Sequence, residues 1–390
     1  MLYRQFGKTG ETVSILGFGC MRLPLIEGGD ATQIDEVRAI PLVRHAIDNG
    51  VNYLDTAYPY HSVMSAEGVL GAGASEPFVG KVLKDGYREK VKIATKLFAK
   101  LINTRSDMDR MLDEQLKRLD VSQIDFYLIH NIQEAVWPML KNEGMTDFLD
   151  QALKDGRIKH AGFSFHDTPA LFREVVDYYD WSFCQIMYNY LDENFQAGTS
   201  GLDYAAAKGL GIAIMEPLRG GLLAKNLPEE AQAALDATGI KRNPADWALR
   251  WVWNNPKVSV VLSGMNEMAQ LEENLTLAST VQPNAMSAAE LGAIDEVKAV
   301  FKAKAKVGCT QCHYCACPVG VDIPTCFSIY NKHYLYNLGE ASKRTYYAML
   351  SAVNRRASAC LECGACESAC PQQLAIRDEL KNVAALFEGE

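Results

Sequence analysis

A (β/α)8 barrel followed by a small, mainly helical, cysteine-rich domain is the fold this α/β sequence predicts, on three observations. Eight short apolar runs rich in β-branched residues recur every 25 to 47 residues, amphipathic segments separate them, and nine of the eleven cysteines fall after residue 308. The 390 residues also exceed what one barrel of about 250 residues needs, leaving room for an appendage.

The strand candidates, in order, are "VSILGFG" (13–19), "VNYLDTA" (51–57), "VKIATKL" (91–97), "IDFYLIH" (124–130), "IKHAGFS" (158–164), "FCQIMYN" (183–189), "GIAIMEP" (211–217) and "VSVVLSG" (258–264). Between them lie helices with start and stop signals. Ser106 is read as the cap of "DMDRMLDEQLKRLD", whose Met108, Met111, Leu112, Gln115 and Leu119 share one helical face; Pro169 suits a first helical position, and Gly50 and Gly209 suit helix ends. Strands alternating with helices pair in parallel through right-handed crossovers, and eight such units close into a TIM barrel. An open doubly wound sheet is the alternative, but it calls for a GxGxxG turn after an early strand, and "GFGCMRL" lacks the third glycine.

Composition narrows the function. An apolar fraction of 48%, a charged fraction of 22% and a net charge of -9 describe a globular protein with no basic face for nucleic acid or anionic membrane. No run of about 18 apolar residues occurs, and "MLYRQFGKTG" lacks the apolar core of a secretion signal, so a cytoplasmic location is expected. Cys20 and Cys184, isolated in the first 308 residues, read as buried hydrophobes.

Barrel chemistry sits where strands end, at the C-terminal rim. That rule selects Asp55 and Tyr60 after the second strand, Lys96 at the end of the third and His130 at the end of the fourth. A tyrosine is a weak acid at neutral pH, but an adjacent ammonium favours its phenolate and is expected to lower its pKa, while a carboxylate holds that ammonium in place. Tyr60, Lys96 and Asp55 fit these roles in that order. His130 would donate a hydrogen bond to a substrate carbonyl oxygen.

At these residues the chain resembles the aldo-keto reductases. "GVNYLDTAYPY" matches that family's D-T-A-x-x-Y signature, "IATKL" its lysine strand and "DFYLIHN" its histidine strand, while "YRQFGKTGETVSILGFGCMRLP" is similar to the opening hairpin and first strand of its bacterial members. "EPLRGGLLA" and "VVLSGMNEMAQLEENL" are similar to its cofactor loops. The resemblance spans roughly residues 1–300. It implies a barrel that binds NAD(P)H without a Rossmann fold and passes hydride to an aldehyde or ketone. By that mapping Ser164 and Gln185 hold the nicotinamide carboxamide, Leu218, Gly220 and Gly221 approach the pyrophosphate with their backbone, and Gln270, Glu273 and Asn274 face the adenosine end. Met215 stands where many members stack an aromatic ring on the nicotinamide, Phe165 where other branches carry asparagine, and Gln270 where many use arginine against a 2′-phosphate, so NADH versus NADPH stays open. "HSVMSAEGVLGAGASE" (61–76) is longer than the family's usual spacing from Tyr60 to the next helix; it reads either as a lid over the site that selects substrates or as a surface insertion.

Near residue 300 the composition changes, placing a domain boundary between 1–300 and 301–390. "IDEVKAVFKAKAK" reads as a helix leading out of the barrel. Cys360, Cys363, Cys366 and Cys370 then form C-x2-C-x2-C-x3-C-P, the bacterial ferredoxin run for [4Fe-4S] clusters, with structural zinc as the alternative. The first group is Cys309, Cys312, Cys315 and Cys317, the last after a shortened spacing, with Cys326 nine residues on. In the two-cluster pattern one cluster takes Cys309, Cys312, Cys315 and Cys370, and the other takes Cys360, Cys363, Cys366 and Cys317, with Cys326 in reserve. The bridge "YNKHYLYNLGEASKRTYYAMLSAV" reads as one or two helices, making a helical ferredoxin-like module. Both ends of the chain thus resemble aldo-keto reductases that carry a C-terminal 4Fe-4S domain.

Hydride transfer moves two electrons, whereas a [4Fe-4S] cluster moves one. Two readings follow: an NAD(P)H-dependent reductase of a small carbonyl compound, with Tyr60 as general acid and the clusters stabilising the C-terminal module, or an electron-transfer protein linking a ferredoxin-type partner to a redox site in the barrel, such as a flavin. A barrel without chemistry is disfavoured by the intact set Asp55, Tyr60, Lys96 and His130. The carbonyl compound and the oligomeric state are not written in the sequence.

Overall fold

A computed structural model of the chain describes residues 1–63, 71–225, 227–309, 315, 317–350, 352–368, 370 and 374–389. Every expected strand forms. A hairpin of β1 (Tyr3–Gln5) and β2 (Thr12–Ser14) precedes eight barrel strands: β3 (Leu16–Gly19), β4 (Tyr53–Asp55), β5 (Lys92–Phe98), β6 (Ile124–Ile132), β7 (Ile158–Phe165), β8 (Phe183–Met187), β9 (Gly211–Met215) and β10 (Val260–Ser263). Consecutive strands pair in parallel, and β10 returns to β3 to close the barrel. The strands read as continuous apolar runs because both of their faces are covered, by the barrel interior on one side and by helices on the other.

The barrel interior is packed rather than open. Phe6, carried in by the hairpin, lies edge-on to Phe126 at 4.9 Å and to Tyr53 at 5.7 Å, and the cluster continues through Phe183, Ala213, Val260 and Leu262. A Cβ at Gly211 would lie 2.5 Å from the Phe6 ring, so β9 has to present glycine where the plug enters.

One local expectation fails. The helix Arg105–Leu119 is capped by Thr104, not Ser106: Thr104 and Asp107 form a reciprocal capping box two residues upstream. Its buried face is Met108, Met111, Leu112, Gln115 and Leu119, as the periodicity requires. Thr168 caps the helix that begins at Pro169, and Gly50 and Gly209 adopt φ of 94° and 80° at helix ends.

The chain divides into two compact units, Met1–Gly221 with Ala245–Met286, and Leu222–Pro244 with Ser287–Glu390. The helix Ala288–Lys304 counts with the second unit, where it packs on the helix Glu229–Asp236. The rest of the second unit is helical, with Ile323–Tyr336, Glu340–Met349 and Ile376–Phe387 around a core of Phe327, Tyr346, Leu350, Val383 and Phe387. Among the described residues no helix is long and apolar enough to cross a membrane.

Candidate active site

The sequence-selected rim residues converge. Asp55 ends β4, Lys96 lies in β5 and His130 in β6, three neighbouring strands whose register places Asp55 beside Ala94 and Phe98 beside His130. Lys96, fully buried, donates to Asp55 Oδ1 at 2.7 Å, to the Thr56 carbonyl at 2.8 Å and to Tyr60 Oη at 3.2 Å, which uses all three of its protons. The Tyr60 and His130 rings meet edge to face at 6.1 Å. Both line a cavity of about 750 Å³ whose walls include Met21, Arg22, Leu25 and Phe98.

A buried ammonium stays charged only if partners replace its water. Burial alone would lower the Lys96 pKa, but Asp55 and then Tyr60 more than offset it, and the net shift is upward. Burial raises the Tyr60 pKa, and the Lys96 charge, acting the other way, does not cancel the rise. The expected lowering of this phenol is thus corrected: desolvation outweighs the ammonium, and Tyr60 is held as a protonated donor. Burial, then the positive charge of Lys96, keeps His130 well below its ordinary value and therefore neutral; its Nδ1 is buried without a partner among the described residues.

The Tyr60 loop is fastened on both sides. His61, at φ 60°, accepts the Leu23 N–H at 3.2 Å through Nε2 and donates through Nδ1 to the Ala31 carbonyl at 2.9 Å, tying the loop after β4 to the loop after β3. Gly73 lies against Tyr60 so closely that a Cβ there would sit 1.9 Å from the Tyr60 carbonyl oxygen. Behind β5, buried Glu76 accepts from Thr95 at 2.6 Å, Gln115 at 2.7 Å and Arg118 at 2.9 Å, while Gln115 also donates to the Lys96 carbonyl at 3.0 Å. Sequence reading placed Gln115 on the buried face but could not see this support. The lid reading of 61–76 falls in part on residues 64–70, which lie outside the described residues.

The residues expected to hold the dinucleotide follow the rim round from β7 to β10. Ser164 and Gln185 are register partners on β7 and β8; Ser164 Oγ accepts the Asn131 N–H at 2.8 Å, and Gln185 donates to Met215 Sδ at 3.6 Å, leaving its buried Oε1 unpartnered among the described residues. Leu218 precedes a turn in which Gly220 and Gly221 adopt φ of 69° and 94° and expose bare backbone. Beyond β10, Gln270 accepts from the Asn266 N–H at 3.1 Å, Glu273 lies in the helix Met268–Thr280, and Asn274 donates to Ser263 at 3.2 Å. An orphaned buried amide oxygen beside a glycine turn suits a carboxamide and a pyrophosphate, so these residues fit a nicotinamide dinucleotide.

In the second unit, Cys317, Cys360, Cys363, Cys366 and Cys370 are free thiols, Cys309 and Cys315 are half-buried, and Cys312 lies outside the described residues. The second motif curls back through Glu362 at φ 54° and Gly364 at φ 77°, and the Glu362 N–H points to Cys360 Sγ at 3.4 Å, as a thiolate ligand needs. That donor set fits iron-sulfur ligation. Among the described residues no three Cys, His, Asp or Glu side chains converge on a metal position. Cys326 is the weaker candidate: its thiol faces the Tyr346 hydroxyl and the Arg355 carbonyl, each at 3.9 Å, and burial pushes its pKa up to about 12.

Comparison with known proteins agrees with both halves. The profile of the Aldo/keto reductase family matches residues 15–298, and that of a 4Fe-4S dicluster domain matches residues 308–375. A probable aldo-keto reductase 1 of Glycine max is 27% identical over 305 residues, 70% of this chain and 82% of that protein. An L-galactose dehydrogenase of Arabidopsis thaliana is 26% identical over 75% of this chain and 93% of its own. A 6-dehydroglucose reductase of Novosphingobium aromaticivorans is 29% identical over 70% and 88%. Among solved structures, an aldo-keto reductase of Bacillus halodurans in its holo form superposes with a TM-score of 0.61 over 76% of this chain and 96% of its own, at 24% identity, a likeness of fold.

Proposed function

Because this chain belongs to the aldo/keto reductase family of oxidoreductases and carries a 4Fe-4S domain, we propose that it reduces an aldehyde or ketone at the rim of the barrel with NAD(P)H, Tyr60 acting as general acid. The nicotinamide, when bound, supplies the hydride that reaches the carbonyl carbon. Tyr60 Oη gives its proton to the carbonyl oxygen, so the product leaves as an alcohol. Lys96, 3.2 Å from Oη, stabilises the phenolate that remains, and Asp55 keeps Lys96 charged and aimed. Neutral His130 donates to the same carbonyl oxygen and orients it. Ser164 and Gln185 hold the carboxamide, Met215 packs near them, Leu218, Gly220 and Gly221 lie along the pyrophosphate, and Gln270, Glu273 and Asn274 face the adenosine.

The single observation that carries this reading is the buried Lys96 ammonium shared between Asp55 and Tyr60, the latter lining a cavity. Two [4Fe-4S] clusters on the cysteines of the second unit stabilise that unit, and the reduced thiols they require suit the cytoplasm. The test is oxidation of NADPH and NADH with a panel of aldehydes and ketones. Tyr60→Phe should lower kcat/KM for the best substrate by about 100-fold or more, the size of a general-acid contribution. Full activity in that variant would remove Tyr60 from the chemistry.

A further inference from the structure

Three neighbouring strands, β9, β10 and β3, end around one corner of the rim. Arg22, three residues beyond the end of β3, reaches across that corner. A Cβ at Gly264, just past β10, would lie 3.5 Å from Arg22 Cβ and 3.9 Å from its Cγ. A Cβ at Gly220, past β9, would lie 3.3 Å from an Arg22 guanidinium nitrogen. The aliphatic stem therefore rests on one glycine, and the guanidinium sits against the other, within the cavity that also holds Tyr60 and His130.

The other arginines of this corner are already neutralised. Arg38 pairs with Glu267 at 3.0 Å and Arg219 with Asp192 at 2.9 Å, whereas Arg22 has no carboxylate partner among the described residues. A free guanidinium over bare, left-handed backbone is suited to an anion with several oxygens, since its fork of donors matches phosphate geometry. β9 and β10 are the seventh and eighth barrel strands, and the loops after these two are where barrels of this class place phosphate groups. Gln270, further along the rim, offers only a neutral amide.

We propose that Arg22 grips the pyrophosphate of the dinucleotide through a charge-assisted contact. The inference rests on the reading that the barrel binds NAD(P)H. Because the pyrophosphate is common to both nucleotides, Arg22 strengthens NADH and NADPH binding alike and does not discriminate between them.

The experiment is fluorescence titration of the anaerobically purified full chain with NADPH and NADH, comparing wild type with Arg22→Ala, Arg22→Gln and Arg22→Lys, with iron content and thermal unfolding confirming that each variant is folded. Arg22→Ala and Arg22→Gln should raise both dissociation constants by a similar factor of about 10- to 100-fold, as loss of a charge-assisted contact predicts. Arg22→Lys should retain part of the affinity. Unchanged binding in Arg22→Ala, with wild type binding normally, overturns the assignment and leaves the parent reading standing. Weakening of NADPH alone also overturns it, because Arg22 would then touch the 2′-phosphate. If wild type binds neither nucleotide, the parent reading fails and this inference fails with it.

Discussion

Tyr60 shows how one side chain's chemistry is a balance of two large effects. Its neighbour Lys96 favours the phenolate, but burial disfavours any charge and wins, so the folded-state pKa lies above the ordinary tyrosine value. A general acid must be protonated to work. The kcat/KM for carbonyl reduction should therefore be level through neutral pH and fall only on the alkaline side of about pH 10. Alcohol oxidation, which needs the phenolate, should instead rise with pH. A pH-rate profile in both directions checks this; a reduction limb falling between pH 6 and 8 would contradict it. The sign was not legible in the sequence, where only the neighbouring ammonium could be inferred and the depth of burial could not.

At the scale of elements, the loop after β4 is positioned by contacts made far along the chain. Gly73 is there because any side chain would strike the Tyr60 carbonyl, and the φ of Gly73 is not the reason. Gly73→Ala should thus displace Tyr60 by several tenths of an ångström or more, and kcat/KM should drop by about 10- to 100-fold. Melting of the barrel should change far less, because the strands beneath are untouched. Circular dichroism alongside kinetics separates the two, and normal activity in a folded Gly73→Ala variant would mean the loop yields elsewhere. The strands were readable because runs buried on both faces have to be apolar, and Asp55, Lys96 and His130 were readable as polar breaks at the ends of such runs. The cap of Arg105–Leu119 was misplaced because Thr104 and Ser106 both offer hydroxyls, and only the reach of Asp107 decides between them. His61 and Arg22 gave no signal, since their partners Leu23, Ala31 and Gly220 are brought near by loop closure rather than by sequence pattern.

For the whole molecule, the question is whether the two units work together or side by side. If the chain holds the two [4Fe-4S] clusters proposed above and they are structural, Cys366→Ser should lower the iron content from about eight per chain towards about four and destabilise the C-terminal unit, while NAD(P)H-dependent carbonyl reduction persists. Iron assay, absorption near 400 nm and differential scanning calorimetry measure these together. Loss of reduction with the barrel transition intact would transfer the clusters onto the electron path and favour coupling to a ferredoxin-type partner. The division of labour was visible as a jump in cysteine density, but the extent of the second unit was not: residues 222–244 join it from within the barrel's own stretch of sequence, and only packing reveals that.

The Phe6 plug has a consequence of a different kind. Since Phe6 and the side chains around it fill the barrel interior, the reaction proposed above would draw its reactants from the rim side. Such traffic would leave the opposite end of the barrel untouched. The floor, freed from any part in that traffic, is the place where an engineer can harden the protein against heat without slowing its turnover.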